Sequence, residues 1–170
     1  MTNHQNINAD SGNDEYFTPL EIVESARRVM GSIDLDPASN DVANERIKAT
    51  KIFTLRDNGL NQKWFGNVWL NHPFGKATNR AWIEKISNEY DRGNFVACIN
   101  ICFASTSESW FQHLLTMPQC FFKKRTNYFL PDGTIKMGVT KGSVVTYWGD
   151  DVDKFAKEFS KYGVVKIPYE

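Results

Sequence analysis

The residues best placed for chemistry stand where an apolar run stops: NVWLNHPF ends in Asn71, His72, Pro73 and Phe74, an amide, an imidazole and an aromatic ring gathered about one proline. Val68 and Leu70 alternate as in a buried strand, and the polar stop reads as a loop leaving its carboxyl end. Ligands bind at that end in open α/β sheets. Taken alone, NHPF after a strand is more simply an ordinary turn. Asp36 stands in a similar place, because Ile33 and Leu35 of GSIDLDPAS suggest a short strand that Pro37 cannot continue. By itself Asp36 also fits a turn or a cap, and Asp57-Asn58-Gly59 a tight turn. Lys123, Lys124 and Arg125 precede Asn127, Tyr128 and Phe129, a mixture suited to phosphate contacts and base stacking. A solvated edge strand carrying protective lysines has the same composition.

The elements that must position these residues alternate along the chain. Thr18-Pro19-Leu20-Glu21 has the form of a capping box, and Leu20, Val23, Ala26, Val29 and Met30 follow at helical spacing, so a helix is predicted from about 19 to 30. DVANERIKAT predicts a short helix, KIFT a strand fragment, DNGL a turn and NVWL a strand. TNRAWIEKISNEYDRG predicts a helix with Trp82, Ile83, Ile86 and Tyr90 as its stripe, and FVACINICF the strongest strand. STSESWFQHLL is expected to be helical, CFFKKRTNYFL extended, SVVTYWG a strand, DVDKFAKEFSKYG an amphipathic helix and VVKIP a final strand. This alternation indicates an α/β sheet flanked by helices. Residues 1–14, polar and almost free of large apolar groups, are expected to be a flexible arm, leaving 15–170 as one domain.

Composition narrows the function. Twenty basic residues balance twenty acidic ones, so no global charge advertises nucleic acid, although a local basic strip can still bind it. Three cysteines without regular spacing give no disulfide framework, and Cys98 and Cys102 fall on one face of a strand, as buried reduced thiols would. His4, His72 and His113 form no His/Cys cluster, so no metal site is expected. Nor is there a signal-peptide core or a membrane-spanning stretch, which fits a reducing cytoplasm. The five tryptophans, Trp64, Trp69, Trp82, Trp110 and Trp148, are expected in the core.

EYFTPLEIVESARRV, IDLDPAS and DNGLNQKWFGNVWLNHPF, in that order, followed by RTNYFLPDG and GSVVTYWG, resemble the phage-type Dam family of DNA N6-adenine methyltransferases, which use S-adenosylmethionine. The resemblance runs from about residue 15 to the carboxyl end. It implies a Rossmann-like S-adenosylmethionine-dependent methyltransferase fold in a compact single domain, DNA as partner, and the host cytoplasm if the chain is phage-encoded. By the same resemblance Phe17-Thr18-Pro19 covers the methionine end of the cofactor, and Asp36-Pro37-Ala38-Ser39 is the acidic loop after the first strand. Asp57 receives the cofactor's adenine amino group, and Asn71-His72-Pro73-Phe74 is the catalytic Asn-Pro-Pro-aromatic loop.

Two departures from that family stand out: DPASND lacks the glycine-rich turn common after the first methyltransferase strand, and His72 replaces the first proline of the catalytic loop. Adenine's amino nitrogen is a poor nucleophile because its lone pair is conjugated with the ring. The Asn71 amide oxygen and the backbone carbonyl of residue 72 can take its two N–H groups, while Phe74 stacks on the base. That carbonyl survives the change to histidine, and Pro73 still pushes residue 72 toward extended geometry. Lys123, Lys124 and Arg125 are the expected DNA contacts. A methyltransferase-like DNA-binding protein without activity, or a methyltransferase acting on RNA or on protein glutamine, are the alternatives.

Overall fold

Helix α1, Leu20–Met30, buries the face formed by Ile22, Val23, Ala26 and Val29. In the computed structural model of the protein, which describes residues 16–136 and 139–169, that face lies against one mixed sheet. The arm expected over residues 1–14 falls outside the described residues. The strands are β1 Leu35–Asp36, β2 Lys51–Ile52, β3 Asn67–Leu70, β4 Ala97–Phe103, β5 Gln119–Phe122, β6 Ser143–Trp148 and β7 Gly163–Lys166, in the order β2-β1-β3-β4-β6-β5-β7. β2, β1, β3 and β4 are parallel neighbours. β6 runs against β4 and β5 against β6, so β5 points the same way as β4, and β7 opposes it.

Helices α2 Asp41–Ile47, α3 Lys76–Asp91 and α4 Val152–Phe159, with a 3-10 helix at Ser109–Thr116, supply the crossovers. Adjacent residues of β6 point to opposite faces and show how the layers divide. Tyr147 stacks on Phe155 of α4 at 5.1 Å, whereas Trp148 meets Tyr90 of α3 at 5.5 Å. α4 shares its face with α1, to which it is tied by Arg28–Glu158 at 2.6 Å. Asn40 caps α2, its side chain accepting from the Ala43 N–H at 2.8 Å. All five tryptophans and all three free cysteines are buried. Among the described residues no helix is long and apolar enough to cross a membrane.

Four expectations need correction. Thr18 does not cap α1: Pro19 occupies the cap position and the Thr18 hydroxyl is buried without a partner. The reason is the chain's entry, since Phe17 is pinned to Phe129 by two backbone hydrogen bonds of 2.7 and 2.9 Å, and Thr18 turns inward. CFFKKRTNYFL is extended only as far as Phe122. β5 is not an edge strand, because it lies between β6 and β7, and Lys123, Lys124 and Arg125 leave the sheet altogether. STSESWFQHLL begins its helical turns only at Ser109 and winds them as 3-10.

Candidate active site

β1, β2 and β3 are parallel neighbours, so the loops after Asp36, Ile52 and Leu70 emerge at one edge. From β1 the chain steps through α2 to β2 on one side; from β3 it steps through α3 to β4 on the other. The strand order therefore reverses between β1 and β3, and a crevice opens outside their carboxyl ends. The cleft there, counted out into its open mouth, spans about 700 Å³ and is lined from all three loops, including Pro37, Ala38, Ser39, Asn58, Asn71 and His72. Gly59 locks two of those loops together. A Cβ at this position would lie 1.9 Å from the Pro37 carbonyl oxygen, and the Gly59 carbonyl accepts from Trp64 Nε1 at 2.9 Å. The close backbone approach at DPASND is thus between two loops of the protein, with the glycine on the loop after β2.

The Asn-His-Pro-Phe turn follows β3 at once. Asn71 donates from Nδ2 to the Tyr16 carbonyl at 2.5 Å, which leaves Oδ1 as its open acceptor. His72 is sealed in. Its Nδ1–H donates to the Pro73 carbonyl at 2.9 Å, its ring lies parallel to Trp82 at 6.4 Å, and Nε2 is buried with no partner. Burial pushes its pKa down to about 4, so the imidazole is neutral at pH 7. Phe74 is 8% exposed and does not line the cleft; Phe103 at 4.6 Å, Tyr128 at 5.5 Å and Tyr16 at 5.8 Å surround its ring. The aromatic surface that Phe74 was expected to offer a base is covered by Tyr16, which itself lines the cleft.

The acids divide. Asp36 is buried beside the cleft, accepting from the Ala38 N–H at 3.2 Å, and burial pushes its carboxyl up to about 7. Asp57 is exposed, and its Oδ2 accepts from both the Thr54 N–H and the Thr54 hydroxyl at 2.8 Å, which holds it below the usual carboxylate range. This carboxylate ties its own loop and does not line the cleft, where Thr54, Leu55 and Asn58 stand instead. Phe17 lines the cleft, Thr18 lines a smaller recess behind it, and Pro19 faces away toward a basic groove. Sequence reasoning missed Tyr16, Leu55, Asn58, Arg46 and the cleft-side role of Trp82. Leu55, an apolar residue beside Thr54, Arg56 and Asp57, was the visible signal, and the structure leaves it 97% exposed. Arg46 on a helix carried none.

The basic segment lies at the same edge. β5 points the way β4 does, so the excursion from 123 to 142 leaves its carboxyl end and is joined to the cleft wall through the Phe17–Phe129 bridge. A groove of about 1080 Å³ is lined by Lys123, Lys124, Arg125 and Lys161, with Glu21 as its acid. Among the described residues no group of His, Cys, Asp and Glu is fit to hold a metal ion. The family model described as DNA N-6-adenine-methyltransferase (Dam) matches residues 5–149, which includes every loop of the cleft and the basic excursion. No curated protein matches the chain.

Proposed function

The chain belongs to the DNA N-6-adenine-methyltransferase (Dam) family, and we propose that it transfers the methyl group of S-adenosylmethionine to adenine N6 at the Asn71 turn. Methylation of adenine in DNA is the family's activity; the donor, the residues and their roles are our reading. A crevice at the reversal of strand order supports a Rossmann-like description of the sheet. The residues fit a nucleoside cofactor: the cleft has apolar walls from Phe53, Leu55 and Pro37, polar groups at Asn58 and Ser39, and a buried acid behind it.

S-adenosylmethionine supplies an electrophilic methyl group when bound. Asn71 accepts one amino hydrogen of the target adenine at Oδ1, and the His72 backbone carbonyl accepts the other, which favours the pyramidal nitrogen that attack requires. His72 acts through its backbone, since its imidazole is neutral and sealed. Pro73 fixes the turn. Phe74 supports the base through Tyr16, whose ring is inclined to it by 25°. Phe17, Pro37, Ala38 and Ser39 shape the cofactor cleft, Thr18 and Asp36 face its inner recess, and Asp57 holds the loop that presents Asn58. Pro19 directs α1 away from the cleft. Lys123, Lys124 and Arg125 hold the DNA backbone.

The observation that carries this reading is the Asn71 amide, oriented by a main-chain acceptor at the mouth of the cleft. Nucleoside mass spectrometry of DNA incubated with the protein and S-adenosylmethionine tests it: N6-methyladenine is expected. Its absence, with labelled methyl groups found instead on RNA or on protein glutamine, would overturn the substrate.

A further inference from the structure

From Phe53 to Trp64 the chain is neither helix nor strand, yet Thr54, Leu55, Asn58 and Gly59 of this stretch form one wall of the cleft. Something must fix its course. Inside the loop the Gln62 side chain donates to the Asp57 carbonyl at 2.6 Å. From outside, α3 holds it by two main-chain groups: Lys85 donates to the Gln62 carbonyl at 2.7 Å, and Glu89 accepts from the Trp64 N–H at 3.1 Å. The two side chains meet each other at 2.9 Å, and Asn94 donates to Glu89 at 3.0 Å. Of the five ion pairs among the described residues this is the most deeply buried, its side chains 16% and 3% exposed. Burial by itself would raise the Glu89 carboxyl, but hydrogen bonds from Lys85, the Trp64 N–H and Asn94 hold it below its ordinary value. A buried ion pair is no gain in stability over apolar side chains of the same volume. What apolar side chains cannot do is hold a carbonyl and an N–H of an irregular loop in place.

We propose that Lys85 and Glu89 are positioning residues for the cofactor: through Gln62 and Trp64 they set the wall of the cleft against which S-adenosylmethionine packs. The proposal rests on the cofactor reading above. Neither side chain lines the cleft, so both act through the loop. Trp82, one turn earlier on α3, makes that helix's contact with His72. The pair can therefore be altered without touching the reaction turn.

The double variant Lys85→Met, Glu89→Leu replaces the charges by apolar side chains of similar volume and removes both holds on the loop. In methyl transfer to DNA, its KM for S-adenosylmethionine should rise roughly tenfold, the scale of one charge-assisted hydrogen bond, while kcat stays within about twofold. Calorimetry with S-adenosylhomocysteine should show the same loss. A native KM, whatever the unfolding temperature, marks the pair as merely structural and overturns the proposal, as does a lowered kcat with KM unchanged. No binding of S-adenosylhomocysteine by the native protein overturns the cofactor reading instead. Should the double variant fail to fold, Lys85→Gln decides, since it leaves Glu89 its donors at Trp64 and Asn94. Weaker binding of S-adenosylhomocysteine with kcat retained supports the positioning role, and native affinity overturns it.

Discussion

At the scale of single residues the site is built from groups whose surroundings fix their roles. Asn71 has one donor committed to Tyr16, so its oxygen cannot exchange places with its nitrogen without setting two carbonyl oxygens against each other. Asn71→Ala should lower the methylation rate by roughly 10²-fold, the scale of one deleted electrostatic contact, while calorimetry finds cofactor affinity nearly unchanged. A parallel loss of affinity would move Asn71 from the reaction to binding. Burial disfavours the charged form of both His72 and Asp36, and their linkage to pH has opposite signs. The His72 pKa is depressed to about 4, so its contribution is present above its unfolded value and lost as pH falls through about 4. The Asp36 pKa is raised to about 7, so its contribution is present below its unfolded value and lost as pH rises through about 7. Between about pH 4 and 6.5 the two slopes oppose. Relative to the native protein, the unfolding temperature of Asp36→Asn should climb with pH, and that of His72→Leu should fall, by several degrees for each titrating unit. One common slope for all three proteins would show that neither group is buried neutral. The loop at NHPF was legible because its polar residues and proline end the alternation of a buried strand at Leu70; its catalytic reading came only from the ordered resemblance. The Tyr16 contact was not, because 55 residues separate it from Asn71 and a main-chain carbonyl leaves no trace in the sequence.

At the scale of elements, one glycine lets two loops of the cleft pack backbone to backbone. Gly59 permits the loop after β2 to sit directly on the Pro37 carbonyl, and the clash of an added Cβ is with backbone, which cannot swing aside as a side chain does. Gly59→Ala should destabilise the fold by about 1–3 kcal/mol, the range for overpacking, and weaken nucleoside binding as the two loops part. Thermal melts and calorimetry would check both; an unperturbed variant would mean that the loops are not locked. Elements with strong periodicity were legible: α1, α4 and the β4 and β6 strands lie within the segments expected for them, and α3 begins two residues before its own, at Lys76. Their pattern is created by burial on known faces. The failures share a different cause. Thr18 carries a capping sequence, yet the bridge from Phe17 to Phe129, 112 residues downstream, sets the chain's approach and overrides the local preference. Lys123 to Phe129 has the composition of a strand, but β5 stops at Phe122 because its neighbour β7 begins at Gly163 opposite that residue. A Cβ on Gly163 would meet the Phe121 carbonyl at 1.9 Å, so this crossing of chains also depends on glycine. Such limits are set by pairing partners remote in sequence, not by the segment itself.

At the scale of the whole molecule, the problem is how a protein of zero formal net charge holds a polyanion. Long-range attraction is weak, so binding must come from local concentration of cations. Lys123, Lys124, Arg125 and Lys161 line one groove, at the sheet edge where Asn71 and the cleft also open. Arg92, after α3, and Lys166, at the end of β7, are exposed at the opposite edge. Both sets have similar chemistry, so only position distinguishes them. Each phosphate contact contributes about 0.9 to the slope of log K against log salt on duplex DNA. Replacing Lys123, Lys124 and Arg125 by Gln should therefore flatten that slope by about 2–3, while S-adenosylhomocysteine binding stays the same because no wall of the cleft is changed. The Arg92→Gln, Lys166→Gln pair should leave the slope alone. Fluorescence anisotropy of labelled DNA across a salt series measures both. If the triple variant keeps the native slope and the distal pair loses it, DNA lies across the amino edge of the strands. Asn71 would then be beyond the reach of a base extruded from that duplex, and the assignment of the groove would fail together with the placement of the substrate.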